Sequence, residues 1–454
     1  MNMNRRRLFA AFAGAASAGA ATPALAREAD ALPRAEIDAL SLGVRPDTAQ
    51  DQSAILQRAI ERAAAAGAIL RLPPGIYRAG SLQLPSYAAI AGVAGTTQLV
   101  LAEGPSLLSS TGSDHISISG LVLDGGNIPL PDGRGLVHLT KGARVRIADC
   151  EIVNAGGNGI TLEAIAGEVT ANSVIGAADY AIFANDAAGL IIAGNTVRGA
   201  GNGGILVWRS TPGDDGTLVV DNRVEDIANK KGGSGQWGNG INVFRADNVI
   251  VRGNRIRNAA YSAVRGNTAS NLQIVGNTCS GMGEVAIFVE FAFQGAVVAN
   301  NIVDDAACGV GIANLDKGGR LAVVQGNLIR NLRRGRPAGD DPTDAPAIGI
   351  SVEADAAVSG NVIDSVEGTG IQAGWGEYLR DISITTNVVR GADYGIAVSV
   401  APGAGTAVIA NNLVSGARLG SIVGMEWTKM VADDLSRAAP ERYAQLSIDG
   451  NRVR

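Results

Sequence analysis

Three residues of this 454-residue chain, Arg265, Glu290 and Glu353, are suited to catalysis, and rings and guanidinium groups recur beside them at a regular interval. A positive group can clamp a uronate carboxylate or stabilise the charge left when the adjacent carbon loses its proton. Arg265 is read as that clamp or as the base, with Arg209 and Arg245 as charge stabilisers. A free Arg stays protonated, so the plain role of Arg265 is substrate binding. Two carboxyls can instead flank a glycosidic bond. Glu290 and Glu353 fall two repeats apart on one column, about 9.6 Å by strand spacing. Trp208, Trp237, Trp375, Phe244 and Phe288 supply rings that stack on sugar faces, Asn242 and Asn267 supply hydrogen bonds, and Arg pairs with carboxylates in a fork. Such a groove is suited to an acidic polysaccharide. The plainer alternatives are rings packed beneath loops and solvated glutamates.

These positions depend on a repeat. Asn-x-(Val/Ile/Cys) returns at Asn172, Asn195, Asn222, Asn254, Asn277, Asn301, Asn327, Asn361, Asn387, Asn412 and Asn451, with tightest spacings of 23 or 24 residues. A second phrase, a small residue then Ile or Val, alternates with it, as in Gly204-Ile205, Gly240-Ile241 and Ala286-Ile287. A fixed period of this length means stacked supersecondary units. The apolar runs have period 2 and end at Gly or Asn, so they are strands. Two or three short strands per unit stack at roughly 4.8 Å into an all-β, single-stranded, right-handed parallel β-helix, a solenoid. If each Ile points inward, the next residue and the third after it point outward. The outward pairs are then Thr161/Glu163, Phe183/Asn185, Leu206/Trp208, Asn242/Phe244, Arg265/Asn267, Phe288/Glu290, Ala313/Leu315, Ser351/Glu353 and Gln372/Gly374. Insertions such as Asn229 to Trp237 and Leu332 to Pro346 wall this face. The repeated Asn reads as structural, tolerating a left-handed turn and stacking as a hydrogen-bonded ladder.

Sixty-one glycines and 4 % aromatic residues suit tight turns around a narrow core. The net charge of −5 lacks the basic excess of a nucleic-acid binder. Residues 1–26 read as a twin-arginine signal peptide. Arg5-Arg6-Arg7-Leu8-Phe9 opens it and Ala24-Leu25-Ala26 ends it, which implies the twin-arginine translocase as a partner and a periplasmic or secreted product. No later stretch is apolar enough to span a membrane, so none is expected to hold the chain there after cleavage. Cys150, Cys279 and Cys308 form no disulfide framework and read as buried thiols. With two His and five Met, a metal centre has few ligands, so no cofactor is expected, although Asp340, Asp341 and Asp344 could hold Ca²⁺.

In order, residues 27–98 read as an N-terminal cap around a helix at 51–66. Its apolar face is Ile55, Leu56, Ala59, Ile60 and Ala63, with Asp51 or Ser53 as N-cap and Gly67 as stop. Coils follow over 99–427, and 428–454 hold a helix (Thr428 to Ala438) and a last coil. The stretch GVRPD…DQSAILQRAIERAAAAGAILRLPPGIY resembles the entry segment of pectate-lyase-like β-helix proteins. The repeats resemble those of the same superfamily, which includes polygalacturonases, pectate lyases and alginate C5-epimerases. Together with the signal, the chain resembles twin-arginine-translocated repeat proteins of unassigned activity. The resemblance covers nearly the whole mature chain and implies fold. The Asp-Pro-His motif of the epimerases and the Gly-His-Gly of the polygalacturonases are absent. The expected function is binding, with cleavage or modification, of an acidic polysaccharide as a lyase, epimerase or hydrolase. The rivals are a non-catalytic glycan-binding or envelope scaffold and a cofactor-carrying exported protein.

Overall fold

The computed structural model describes residues 35–454 apart from 234, 336–345 and 437–440. The signal expected over 1–26 and the Ca²⁺ ligands expected at Asp340, Asp341 and Asp344 lie outside the described residues.

Each coil holds three strands, because every alternating Val/Ile run breaks after a few residues at Gly, Asn or Asp. One coil is Val264–Asn267, Leu272–Val275 and the first part of Thr278–Glu290. The next coil lies on it in parallel register, with Val264 on Ile287, Leu272 on Ala296 and Thr278 on Ile302. About 14 such turns form a right-handed all-β solenoid with three sheets along its length. The small-Ile phrase supplies one inward side chain per coil. Ile182, Ile205, Ile241, Val264, Ile287 and Ile371 are fully buried, each contributing about 1.5–3 kcal/mol.

The recurrent Asn forms the expected ladder, but for only one of the two reasons given. Asn277 Nδ2 donates to Asn301 Oδ1 at 3.0 Å and to Val251 O at 3.0 Å, and the motif repeats from Asn172 to Asn451. The left-handed turn belongs to the preceding residue, as at Gly276 (φ 69), Asn300 (φ 56) and Thr386 (φ 57). The ladder Asn is therefore selected for its amide alone. Cys150 occupies the rung before Asn172 and donates its backbone N–H to Asn172 Oδ1 at 3.0 Å.

The helix spans Ser53–Ala65 and buries Leu56, Ala59, Ile60 and Ala63 near the first strands, with Ile55 only half-buried. Gln52 holds the N-cap position, while Asp51 Oδ1 accepts from the Ser53 N–H at 3.1 Å. Coil stacking begins well before Leu99, contrary to the expected cap boundary. Glu36–Asp38 pairs with Ile69–Arg71, which pairs with Ala89–Ala91. These early coils hide from repeat counting because they carry no Asn rung. The helix expected from Thr428 is also corrected. Lys429–Ala432 is a strand folded antiparallel onto Gly420–Glu426, with Trp427 (φ 54) in the turn between them. Lys429-Met430-Val431-Ala432 has no apolar stripe of helical period, so pairing with an open strand wins.

Candidate functional site

Many of the expected site residues share one sheet face. Leu206, Asn242, Arg265 and Phe288 form one outward column, and Trp208, Phe244, Asn267 and Glu290 form the next. The columns continue through Ser351 and Gln372. One coil departs from the expected register. Gly309-Val310-Gly311-Ile312 contains the small-apolar phrase twice, and Val310 is the residue that stacks between Ile287 and Ile350. The outward pair there is Gly311/Ala313 in place of Ala313/Leu315.

The rings of the first coils pack on one another. Trp237, delivered by the insertion, stacks on Tyr180 at 5.8 Å and on Trp208 at 5.9 Å. Trp208 meets Phe183 edge-on at 5.4 Å and Phe244 at 5.5 Å. Its indole N–H donates to Asn242 Oδ1 at 3.1 Å, which fixes the ring plane. Lys231 Nζ sits 5.0 Å from the Tyr180 ring and 2.6 Å from Asp179 Oδ2, pinning the insertion. What stays open is a cleft of about 340 Å³ lined by Trp208, Gln236, Asn242, Phe244, Arg265, Asn267 and Phe291. Three rings and three amides make a surface suited to stacking on and hydrogen-bonding a sugar.

Arg265 is not a free base. Its Nε donates to Glu290 Oε1 at 2.7 Å, and its Nη1 lies 3.5 Å from Glu284 Oε2, all three residues being buried. Asn267 Nδ2 donates to Glu290 at 3.1 Å, and the guanidinium covers the Phe288 ring at 5.2 Å. The insertion closes over this group. Asn239 Nδ2 holds Gly235 O at 2.8 Å, Tyr261 Oη donates to Gly233 O at 2.6 Å, and a Cβ at Gly235 would collide with the guanidinium. A charge already matched by two carboxylates has little left for a substrate anion.

The other candidates take mixed positions. Glu353 accepts from the Leu315 N–H at 2.7 Å, capping the 3-10 turn Leu315–Lys317. Burial raises its carboxyl above the usual range, against the opposing backbone N–H of Leu315 and Asn314. Arg209 is half-buried, 3.9 Å from the buried Asp215 carboxylate, whose pKa burial also raises. Arg245 lies over the Phe244 ring at 4.6 Å and donates to Ser210 O at 3.0 Å. Trp375 is six coils further on, against Trp427, so the four Trp form two clusters and not one trough. Sequence reading missed Glu284 and Tyr180. Glu284 lies at the register shift between Met282 and Val285 within Thr278–Glu290, where the alternation that selected the rest breaks. Tyr180 was visible as a ring in a slot that holds Gly203 and Asn239 on the next coils.

Burial on this face has a consequence at pH 5. His138 sits on the column before Thr161 and is 5 % exposed. Burial, then Arg134, lowers its pKa from 6.5 to about 4. Glu163 opposes from 3.8 Å, but it is half exposed and screened, so burial prevails. The unfolded chain therefore takes up a proton near pH 6.5 and the folded one only near pH 4. Stability is full above pH 6.5 and falls as pH drops towards 4, by on the order of 2–3 kcal/mol. Urea unfolding at pH 7 and pH 4.5 should show this loss, and His138→Gln should remove that share of it.

The family model described as right-handed β-helix region matches residues 103–224 and 212–389. A Pseudomonas aeruginosa protein described as "Probable ABC transporter binding protein NosD" is 32 % identical over 139 residues, covering 30 % of this chain and 26 % of that one. The match thus spans about a quarter of that relative's length. The pre-mature gene product 12 of bacteriophage phi29 superposes with a TM-score of 0.51 at 16 % identity, over 87 % of this chain and 57 % of that one. A mannuronic acid specific polysaccharide family 6 lyase from human gut microbiota gives a TM-score of 0.44 at 11 % identity, over 92 % and 91 %. At 16 % identity the likeness to the phi29 protein is one of fold.

Proposed function

On the premise that this chain belongs to the right-handed β-helix family, we propose that it binds an acidic polysaccharide without cleaving it. The observation that carries this reading is the cleft lined by Trp208, Phe244 and Phe291, where the amide side chains of Asn242, Asn267 and Gln236 lie beside partly exposed rings. The acidic preference rests on Arg245 at the rim. Among the described residues it forms no ion pair, so its charge remains for a uronate. Absence of turnover follows from the state of the expected catalytic groups. Arg265 and Glu290 satisfy each other, and Glu353 caps a turn.

Titration calorimetry with polygalacturonate, alginate and a neutral glucan tests this, with absorbance of unsaturated uronates and reducing ends followed in parallel. The expected result is binding of an acidic polymer, no product, and a loss of about 1–3 kcal/mol for Trp208→Ala, the scale of a buried ring at an interface. Release of unsaturated or reducing ends would replace this reading with an enzyme. Equal affinity for the neutral glucan would remove the role of Arg245.

Export belongs to the same proposal, supported by Arg5-Arg6-Arg7-Leu8-Phe9 and Ala24-Leu25-Ala26. Expressed in a bacterium with the twin-arginine system, the protein should appear outside the cytoplasm beginning at Arg27. Replacing Arg5 and Arg6 with Lys should keep it inside.

A further inference from the structure

The second aromatic cluster is not spoken for by the cleft just described. Trp375 is 38 % exposed and Trp427 47 % exposed, their rings edge-on at 5.8 Å, with Tyr378 6.3 Å from Trp427. They border a cleft of about 220 Å³ whose polar lining includes Gln372, Ser399 and Thr369. This repeats the first cleft on the same face, rings beside hydrogen-bonding side chains, with one arginine in each lining, Arg265 there and Arg334 here. Gln372 continues the column of Asn242 and Arg265 through Phe288, Gly311 and Ser351.

The clefts are six coils apart, roughly 29 Å at strand spacing. Between them the columns carry the small side chains of Gly311, Ala313 and Ser351, and Glu353, whose carboxylate is drawn onto the Leu315 N–H at 2.7 Å. Small residues in the middle and rings at both ends leave room for one extended strand of ligand. A pyranose ring in an extended chain advances by about one coil spacing, so roughly seven rings reach from one cleft to the other.

We infer that the ligand is a polysaccharide stretch of about seven sugar rings, lying along the solenoid axis and held at both ends by the Trp208 and Trp375 clefts. This inference rests on the glycan reading above. Linking two weak sites through one chain raises affinity without new contacts, once the chain spans both. Shorter pieces occupy one cleft or the other.

The test is a size-graded series of oligogalacturonates and oligomannuronates, from disaccharide to about decasaccharide, titrated into the full chain. Affinity should rise gently to about six rings and then step up by about 100-fold, the low end of linked-site gains. Trp375→Ala, and separately Trp427→Ala, should erase the step and leave tetrasaccharide affinity within about twofold, carried by the first cleft. Thermal unfolding of each variant checks that the last coils are intact. A smooth length profile in wild type, or a step that survives both substitutions, overturns this inference and leaves the glycan reading in place. Absence of binding at every length overturns both.

Discussion

Arg265→Ala should destabilise the protein by about 3–5 kcal/mol, the cost of stripping one partner from a buried ion pair. Arg265 stands between Glu290 at 2.7 Å and Glu284 at 3.5 Å, and all three are at least nine-tenths buried. Without the guanidinium two buried carboxylates lose their shared counter-charge under the insertion, while Asn267 still donates to Glu290. Such groups resist ionisation, so the loss should shrink as pH falls and they take up protons. Combining Arg265→Leu with Glu284→Gln and Glu290→Gln should recover most of the stability, since neutral amides need no counter-charge. Arg265→Lys should fall between, because a compact ammonium cannot hold Glu290 and reach Glu284 at once as Nε and Nη1 do. Urea unfolding of the three variants reads this out. Had Arg265 served chemistry alone, its removal would leave stability within about 0.5 kcal/mol, as surface substitutions do.

That result bears on how much of the site could be read from the chain. Alternation along a strand is a strict rule, so Trp208, Asn242, Phe244, Arg265, Asn267 and Glu290 could be placed on one face from the repeat alone. What alternation cannot give is whether a neighbouring loop comes down over a residue. The insertion looked like a wall beside the sheet, but Gly235 rests on the guanidinium and Trp237 stacks into the ring cluster. Its glycines permit that descent, with φ 72 at Gly232, 89 at Gly233 and 116 at Gly235. Residue type alone also misled where one phrase occurred twice, at Gly309 to Ile312, since either copy satisfies the pattern and only the neighbouring coils select Val310. The ends were least legible. Coils before Leu99 and the strand at Lys429 rely on partners and not on a repeated signal.

The ladder offers the other large effect, and it separates what Asn does from what the turn before it does. Asn277 Oδ1 accepts from the Asn254 backbone N–H at 2.9 Å and from Asn254 Nδ2 at 3.0 Å. Its Nδ2 donates to Val251 O and Asn301 Oδ1, all in the buried stack. Asn277→Leu should cost about 3–5 kcal/mol, because the Asn254 N–H and the Val251 carbonyl each lose their partner at about 1–3 kcal/mol apiece, with misfit added. Asn277→Asp keeps the acceptor but turns the donor into a second acceptor facing Val251 O and Asn301 Oδ1. Burial and those two oxygens must raise its folded pKa above the unfolded value, so the variant should be most stable below the carboxylate range and lose stability as pH rises through the folded pKa. Gly276→Ala, one residue earlier, should cost only the left-handed backbone, about 1 kcal/mol, since nothing lies within 4 Å of its added Cβ. Each coil contacts only its neighbours, so the damage should be local. Hydrogen exchange at the Asn254 amide should quicken in Asn277→Leu while Asn387 and Asn412, several rungs away, keep their protection. If the Leu and Ala variants instead proved equally mild, the rung would be a turn signal after all, and the amide chain along the stack would be incidental to its stability.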